Sequence, residues 1–185
     1  MHPTLKRILK ESIPLLSICL ILGTVGGQLL NARLEHLSLI PVFLVFVPVI
    51  NGVGGNLGCV LGARVSSGLH LGTIQPKLKG KELKQNILVY FLLGIITYTT
   101  ISIFIWVGIP LLGIRTDLSF MKFSGVLLFA GGLLVCLVVL LVLSTAFVSF
   151  KKGLDPDNTV LPLVTSVTDL AGISCLILAM GVIGL

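Results

Sequence analysis

Asp169 is a carboxylate placed deep within an apolar stretch of this chain, and its neighbours are oxygen-bearing residues at helical spacing. It belongs to "DPDNTVLPLVTSVTDLAG", residues 155–172. At about 100° per residue on a helix, Thr165 lies roughly 40° from Asp169, Pro162 and Asn158 roughly 20°, and Ser166 and Gly172 roughly 60°. One face therefore reads Asn158, Pro162, Thr165, Ser166, Asp169, Gly172, while Val160, Leu161, Leu163, Val164, Val167 and Leu170 occupy the others. Asp155-Pro156-Asp157-Asn158 reads as the helix start, with Asp or Asn at the cap. From Asn158 to Asp169 is a rise of about 16 Å at 1.5 Å per residue, close to the middle of a bilayer. A charge there costs about 2.5–3.5 kcal/mol on insertion scales. Arg64 is the basic residue within an apolar stretch, and it sits near a span end, so a structural ion pair is a poor account of Asp169. A cation pathway is the better one.

The stripe offers hard ligands: a carboxylate, hydroxyls, an amide and the carbonyl that Pro162 leaves unpaired. Such oxygens with water suit Mg²⁺, Ca²⁺ or Mn²⁺. Mg²⁺ keeps several waters, so one or two carboxylates and a wet lining suffice. Soft-metal transport would want Cys, Met or His at depth, whereas His2, His36 and His70 are near span ends and Met180 stands alone in the last span. One carboxylate per chain is thin for a divalent ion. A two-fold dimer would present two Asp169 side chains to a shared axis, with Asp155 and Asp157 raising the cation concentration at the mouth.

A second polar island is "NGVGGNLG", residues 51–58, in a run that has no charged residue between Glu35 and Arg64. Gly54, Gly58 and Gly62 recur every four positions, with Asn51 near the same face; Gly52 and Asn56 lie on another, roughly opposite Gly58. Small residues at this spacing let membrane helices approach closely. Finding them on two faces implies packing on both sides, inside the bundle or at a subunit interface. The amides of Asn51 and Asn56 suit interhelical hydrogen bonds, worth roughly 0.6–2 kcal/mol, and also suit a hydrated cavity; this stretch alone does not choose.

The elements that must hold these residues follow from composition. Only 11% of the 185 residues are charged and 55% are hydrophobic, against about 25% charged in soluble domains. Lipid must be the solvent for most of this surface. Charge clusters divide the chain into apolar blocks, giving five expected spans near 12–32, 38–63, 86–111, 123–150 and 158–184, in a single all-α transmembrane domain over 1–185. Each exceeds the roughly 20 residues needed to cross hydrocarbon. Runs such as "GVLLFAGGLLVCLVVLLVLSTAFV" do not alternate, which excludes a barrel.

Nine of the thirteen basic residues fall before the first span, between the second and third, and between the fourth and fifth. The positive-inside rule then places the N-terminus in the cytoplasm and the C-terminus outside. The net charge of +6 reflects this topology and anionic headgroups; nucleic acid is not needed to explain it. The first apolar run is longer than a signal-peptide core and no A-x-A site follows, so cleavage is not expected. Cys19, Cys59, Cys136 and Cys175 are far apart with no C-x-x-C pair, and are expected to be buried small hydrophobes. Trp106 fits an interface anchor or plain packing.

"PVINGVGGNLG...AR" and "DPDN...P...S.TDLAG", in this order and spacing, resemble the paired motifs of the MgtE / solute carrier family 41 membrane domain, over about residues 10–185. The resemblance implies a five-helix unit that moves Mg²⁺ through the cell membrane, with Asp169 the central pore aspartate. It implies that Thr165 offers its carbonyl one turn earlier, and that Asn56 with its glycines, Gly55 included, lines the pore from span two. The ion is cargo, with no further cofactor. Bacterial MgtE proteins resemble this chain only in its membrane part, so closure by cytoplasmic sensor domains is not carried over. Animal carriers resemble two fused copies, so a homodimer is expected here.

An intramembrane enzyme would need a paired aspartate, a deep Ser–His pair or H-E-x-x-H, and none is present. A non-transporting subunit of a larger complex would leave Asp169 unexplained. Channel and cation-coupled exchanger are not separated by these residues.

Overall fold

The computed structural model describes residues 3–33, 42–111, 113 and 118–185, which form five α-helices. They are α1 (Pro3–Ala32), α2 (Val42–Leu71), α3 (Lys81–Leu111), α4 (Phe120–Lys151) and α5 (Pro156–Ile183). All five are long and apolar enough to cross a membrane. Residues 38–41 at the expected opening of the second span, together with His2, Glu35, His36 and Arg115, lie outside the described residues. α2 continues past the expected end at 63 to Leu71, so Arg64 and His70 ride on the helix itself.

Local chemistry sets the helix ends. Ser119 caps α4, accepting from the Lys122 N–H at 3.4 Å. Gly153 (φ 70°) closes α4 in the left-handed region, and Leu154 N donates back to Ser149 O at 2.9 Å, which satisfies an end carbonyl. Asp155 then caps α5: its Oδ1 accepts from Asp157 N at 3.0 Å, and Pro156 follows at the first helical position, where a missing N–H costs nothing.

α5 is the hub. It packs against α1, α2 and α4, while α3 lies outside on α2 and α4. Among the described residues, α1 touches α5 alone and does not meet α2. Phe46, Ile50, Leu127, Leu134, Val164 and Leu176 form the fully buried centre, with the Phe46 ring edge-on to Phe123 at 4.7 Å. Leu20 and Ile21 of α1 and Phe104 of α3 point outward, as a lipid-facing rim would. Trp106 is half-buried and packs edge-on to Phe120 and Phe123, at 5.6 and 5.3 Å.

Gly54, Gly58 and Gly62 line α2 where α5 and α4 press closest. A Cβ at Gly58 would come within 2.5 Å of Val164 and 2.6 Å of Val138, and one at Gly62 within 2.9 Å of Val160. The stripe considered as a route to a partner subunit is thus filled by helices of the same chain. The other small face, with Gly52 and Asn56, is exposed, so packing on both sides of α2 does not hold within one copy. Among the cysteines, Cys19 and Cys175 are buried, Cys59 is half-buried and Cys136 is exposed. The expectation of four buried thiols fails for Cys136, which falls on the outward face of α4.

Candidate functional site

Asp169 emerges from α5 between the lines along which α1 and α2 lie. Its neighbour Leu170 presents backbone to Gly26 of α1, where a Cβ would be 3.6 Å from the Leu170 Cα. On the other side the Asn51 amide of α2 donates to the Asp169 carbonyl at 3.2 Å. Because α1 and α2 make no contact among the described residues, α5 forms the floor of a cleft between them. Asp169 and Thr165 are exposed on that floor, and Ser166 is half-buried. Gly55 borders it from α2, with its Cβ position 3.9 Å from the Thr165 methyl carbon. Asn56, the next residue, is exposed. Gly172, grouped with this stripe by spacing, instead turns inward and is buried against α2.

The Asp169 carboxylate has no ion pair or hydrogen bond among the described residues. Arg64 is engaged elsewhere: its Nη1 donates to Asn86 Oδ1 on α3 at 3.3 Å. The Thr165 hydroxyl turns back on its own helix, donating to Pro162 O at 3.0 Å and Leu161 O at 3.3 Å. It therefore offers the cleft a polar lining through a self-satisfied hydroxyl. The Pro162 carbonyl also accepts from Cys19 Sγ at 3.3 Å, which pins α1 to α5 one helical stretch below Asp169.

Asp155 and Asn158 belong to a different place. They are 14 and 11 residues before Asp169 on the same helix, about 21 and 16 Å along its axis. Asp155 Oδ1 lies 3.7 Å from His70 Nε2, and single ligand atoms of His70, Asp155 and Asp157 all fall within 4.8 Å of one another. His70, set aside in the sequence because it is near a span end, is brought there by the extension of α2. The contact also places the α2–α3 and α4–α5 connections at one end of the bundle. Asn158 is half-buried, with its N–H donating to Asp155 O at 3.1 Å. The residues singled out from sequence thus resolve into a mid-helix group (Gly55, Asn56, Thr165, Asp169) and an end group (Asp155, Asn158).

Two polar ties hold the second helix to its neighbours; the interhelical bond of the Asn51 amide was expected from its type, its partner was not. Besides the Asn51–Asp169 bond, the buried Tyr98 hydroxyl of α3 donates to Ile50 O at 3.2 Å, its ring lying over Gly131 of α4. Asn51 did carry a signal, a primary amide on the glycine face, but its partner is a main-chain carbonyl, which no side-chain pattern reports.

Residues 47–179, which include both the α2 glycines and the α5 aspartate, match the family model of MgtE, the divalent cation transporters. The chain belongs to the MgtE family. Among relatives, it is 28% identical to solute carrier family 41 member 2 of Gallus gallus over 95% of this chain and 32% of that protein. It is 27% identical to the Homo sapiens member 2 over 96% of this chain and 33% of that protein. It is 26% identical to member 3 of Rattus norvegicus over 96% of this chain and 41% of that protein. The chain therefore spans about a third of the length of the member 2 relatives it matches. No solved structure matches it. The MgtE match begins at Val47, so α1, the outer wall of the cleft, lies before it.

Proposed function

We propose that this chain carries Mg²⁺, or a similarly hard divalent cation, across a membrane along the α5 face that bears Asp169 and Thr165. One observation carries the reading. A carboxylate halfway along a 28-residue apolar helix is exposed and unpaired among the described residues. Facing lipid it would cost about 2.5–3.5 kcal/mol, so water and a cation, or a partner, must cover it. Membership of a divalent cation transporter family supports the same reading.

The ion would be held by Asp169 through a partly retained water shell, because Mg²⁺ dehydrates reluctantly. Thr165 and Asn56 would hydrogen-bond that shell, and Gly55 would keep the α2 wall low enough for it to pass. Asp155 and Asn158, at the far end of the floor, would draw cations to the mouth. A second copy would complete the path. One carboxylate matches half the charge of a divalent ion, and a two-fold arrangement would set two Asp169 groups about one axis. Basic-residue placement puts the N-terminus on the cytoplasmic side, with the bilayer of the cell's plasma membrane as the surrounding solvent.

The test is Mg²⁺ flux into liposomes holding only this chain, with and without a membrane potential. Asp169→Asn is expected to abolish flux while the protein still elutes as a folded species. Wild-type flux in folded Asp169→Asn would remove the ion path from this face. A dependence on potential marks a channel; a dependence on a counter-cation gradient marks an exchanger.

A further inference from the structure

We propose that Asn51 is a positioning residue for Asp169, gripping the α5 main chain at both ends of its amide, with Gly172 as the socket. This rests on the reading of Asp169 as the ion-binding group. The Asn51 Nδ2 donates to the Asp169 carbonyl at 3.2 Å. The Asn51 Oδ1 is buried and receives no conventional hydrogen bond among the described residues. A Cβ built on Gly172 would fall directly onto that oxygen, so a Gly172 Cα–H points at it instead. Cα–H···O contacts of this kind recur between closely packed helices.

The two contacts lie three residues apart on α5, about one turn. An amide on a single methylene is short enough to hold both. A longer Gln would collide with Ile50 and Gly172, whose atoms already crowd the site. A hydroxyl in its place would not span the turn. The neighbouring carbonyl, Ile50 O, is held from the opposite side by Tyr98. Residues 50 and 51 of α2 are thereby fixed to α3 and α5 at once, at the level of the carboxylate. The Asp169 carbonyl, occupied by Asn51, is not available to the ion; its carboxylate is presented alone, at a depth and rotation set from α2.

The experiment combines Asn51→Leu, Asn51→Ala, Gly172→Ala and the Asn51→Ala/Gly172→Ala double variant, each purified in detergent and tested for Mg²⁺ flux over a concentration series. Asn51→Leu keeps the branched shape, with somewhat larger methyl groups, and loses both donor and acceptor. It is expected to fold and to raise the half-saturating Mg²⁺ concentration about three- to tenfold, the range that one interhelical hydrogen bond in a membrane commands. Gly172→Ala drives a methyl into Oδ1, and is expected to lower folded yield or flux. Asn51→Ala removes the oxygen and leaves its space open, so Gly172→Ala added to Asn51→Ala should cost little more than Asn51→Ala alone.

A fully additive double variant would overturn the pairing. An Asn51→Leu protein with wild-type half-saturation would overturn the positioning role, even if its melting temperature fell, because a merely structural contact moves stability and leaves saturation alone. Failure of both Asn51→Leu and Asn51→Ala to fold would also overturn it, by making the amide a folding contact. Asp169→Asn run alongside separates the two readings. Flux retained there removes the ion path, whereas flux lost there with normal Asn51→Leu removes only the positioning role.

Discussion

At the scale of single residues, the proposed ion path presents oxygen and hydrogen-bonding groups, and any selectivity it has must come from them. Asp169, Thr165 and Asn56 include no thiolate or imidazole, so ligand softness does not sort cations here; hydration and geometry do. Mg²⁺ is therefore expected to be favoured over Ni²⁺ and Zn²⁺ only modestly. Competition during Mg²⁺ uptake measures this, and a preference for micromolar Zn²⁺ as cargo would overturn the hard-ligand account. The mid-helix position of Asp169 was legible because the cap at Asp155 and the apolar run around the carboxylate set its depth. The partners of Asn51 were not. Its two contacts are to the main chain of residues 169 and 172, and main-chain atoms leave no trace in residue identity. His70 was missed for another reason: the helix carrying it outlasts its apolar run, so hydropathy placed the end of α2 too early.

At the scale of elements, the glycines of α2 decide how near α5 can come. A Cβ at Gly54 would reach 2.5 Å from Leu134 and 3.0 Å from Thr168, and the Gly58 position is as tight against Val164 and Val138. These neighbours are β-branched or wedged side chains in a close-packed interior, where added volume costs roughly 1–3 kcal/mol or more. Gly58→Leu is therefore expected to cut the yield of folded protein sharply. Gly132→Leu, at an exposed position of α4 with nothing within 4 Å of its Cβ, should be tolerated. Fluorescence-detected size-exclusion profiles compare the two directly, and equal monodisperse yields would mean that α2 and α5 can part without loss. The four-residue glycine period was readable as a packing face. Which helix fills it was not, because a small-residue stripe accepts any close partner, and only the tertiary arrangement shows that α5 and α4 of the same chain take the place.

At the scale of the whole molecule, one copy leaves its mid-depth polar surface open. Gly52, Asn56, Thr165 and Asp169 are all exposed, and among the described residues the cleft is bordered by α2, α5 and α1, of which α1 touches α5 alone. A bilayer cannot solvate such a face, since the alternative to protein or water there is hydrocarbon. In a two-fold assembly each residue near the axis meets its own copy. Asn56→Cys and Gly52→Cys are thus expected to give a covalent dimer with a short bis-maleimide. Cys59→Ala and Cys136→Ala in the background remove the less buried native thiols. Phe104→Cys, on the outer face of α3, should remain monomeric on a denaturing gel at the same protein-to-lipid ratio. Equal cross-linking at all three positions would reflect random collision. Absence of the dimer at Asn56 and Gly52, in protein that still conducts Mg²⁺, would mean that a single chain closes its own path. The cleft between α1 and α2 would then have to serve as the pore by itself, with one Asp169 and the retained waters of the ion supplying all the ligands.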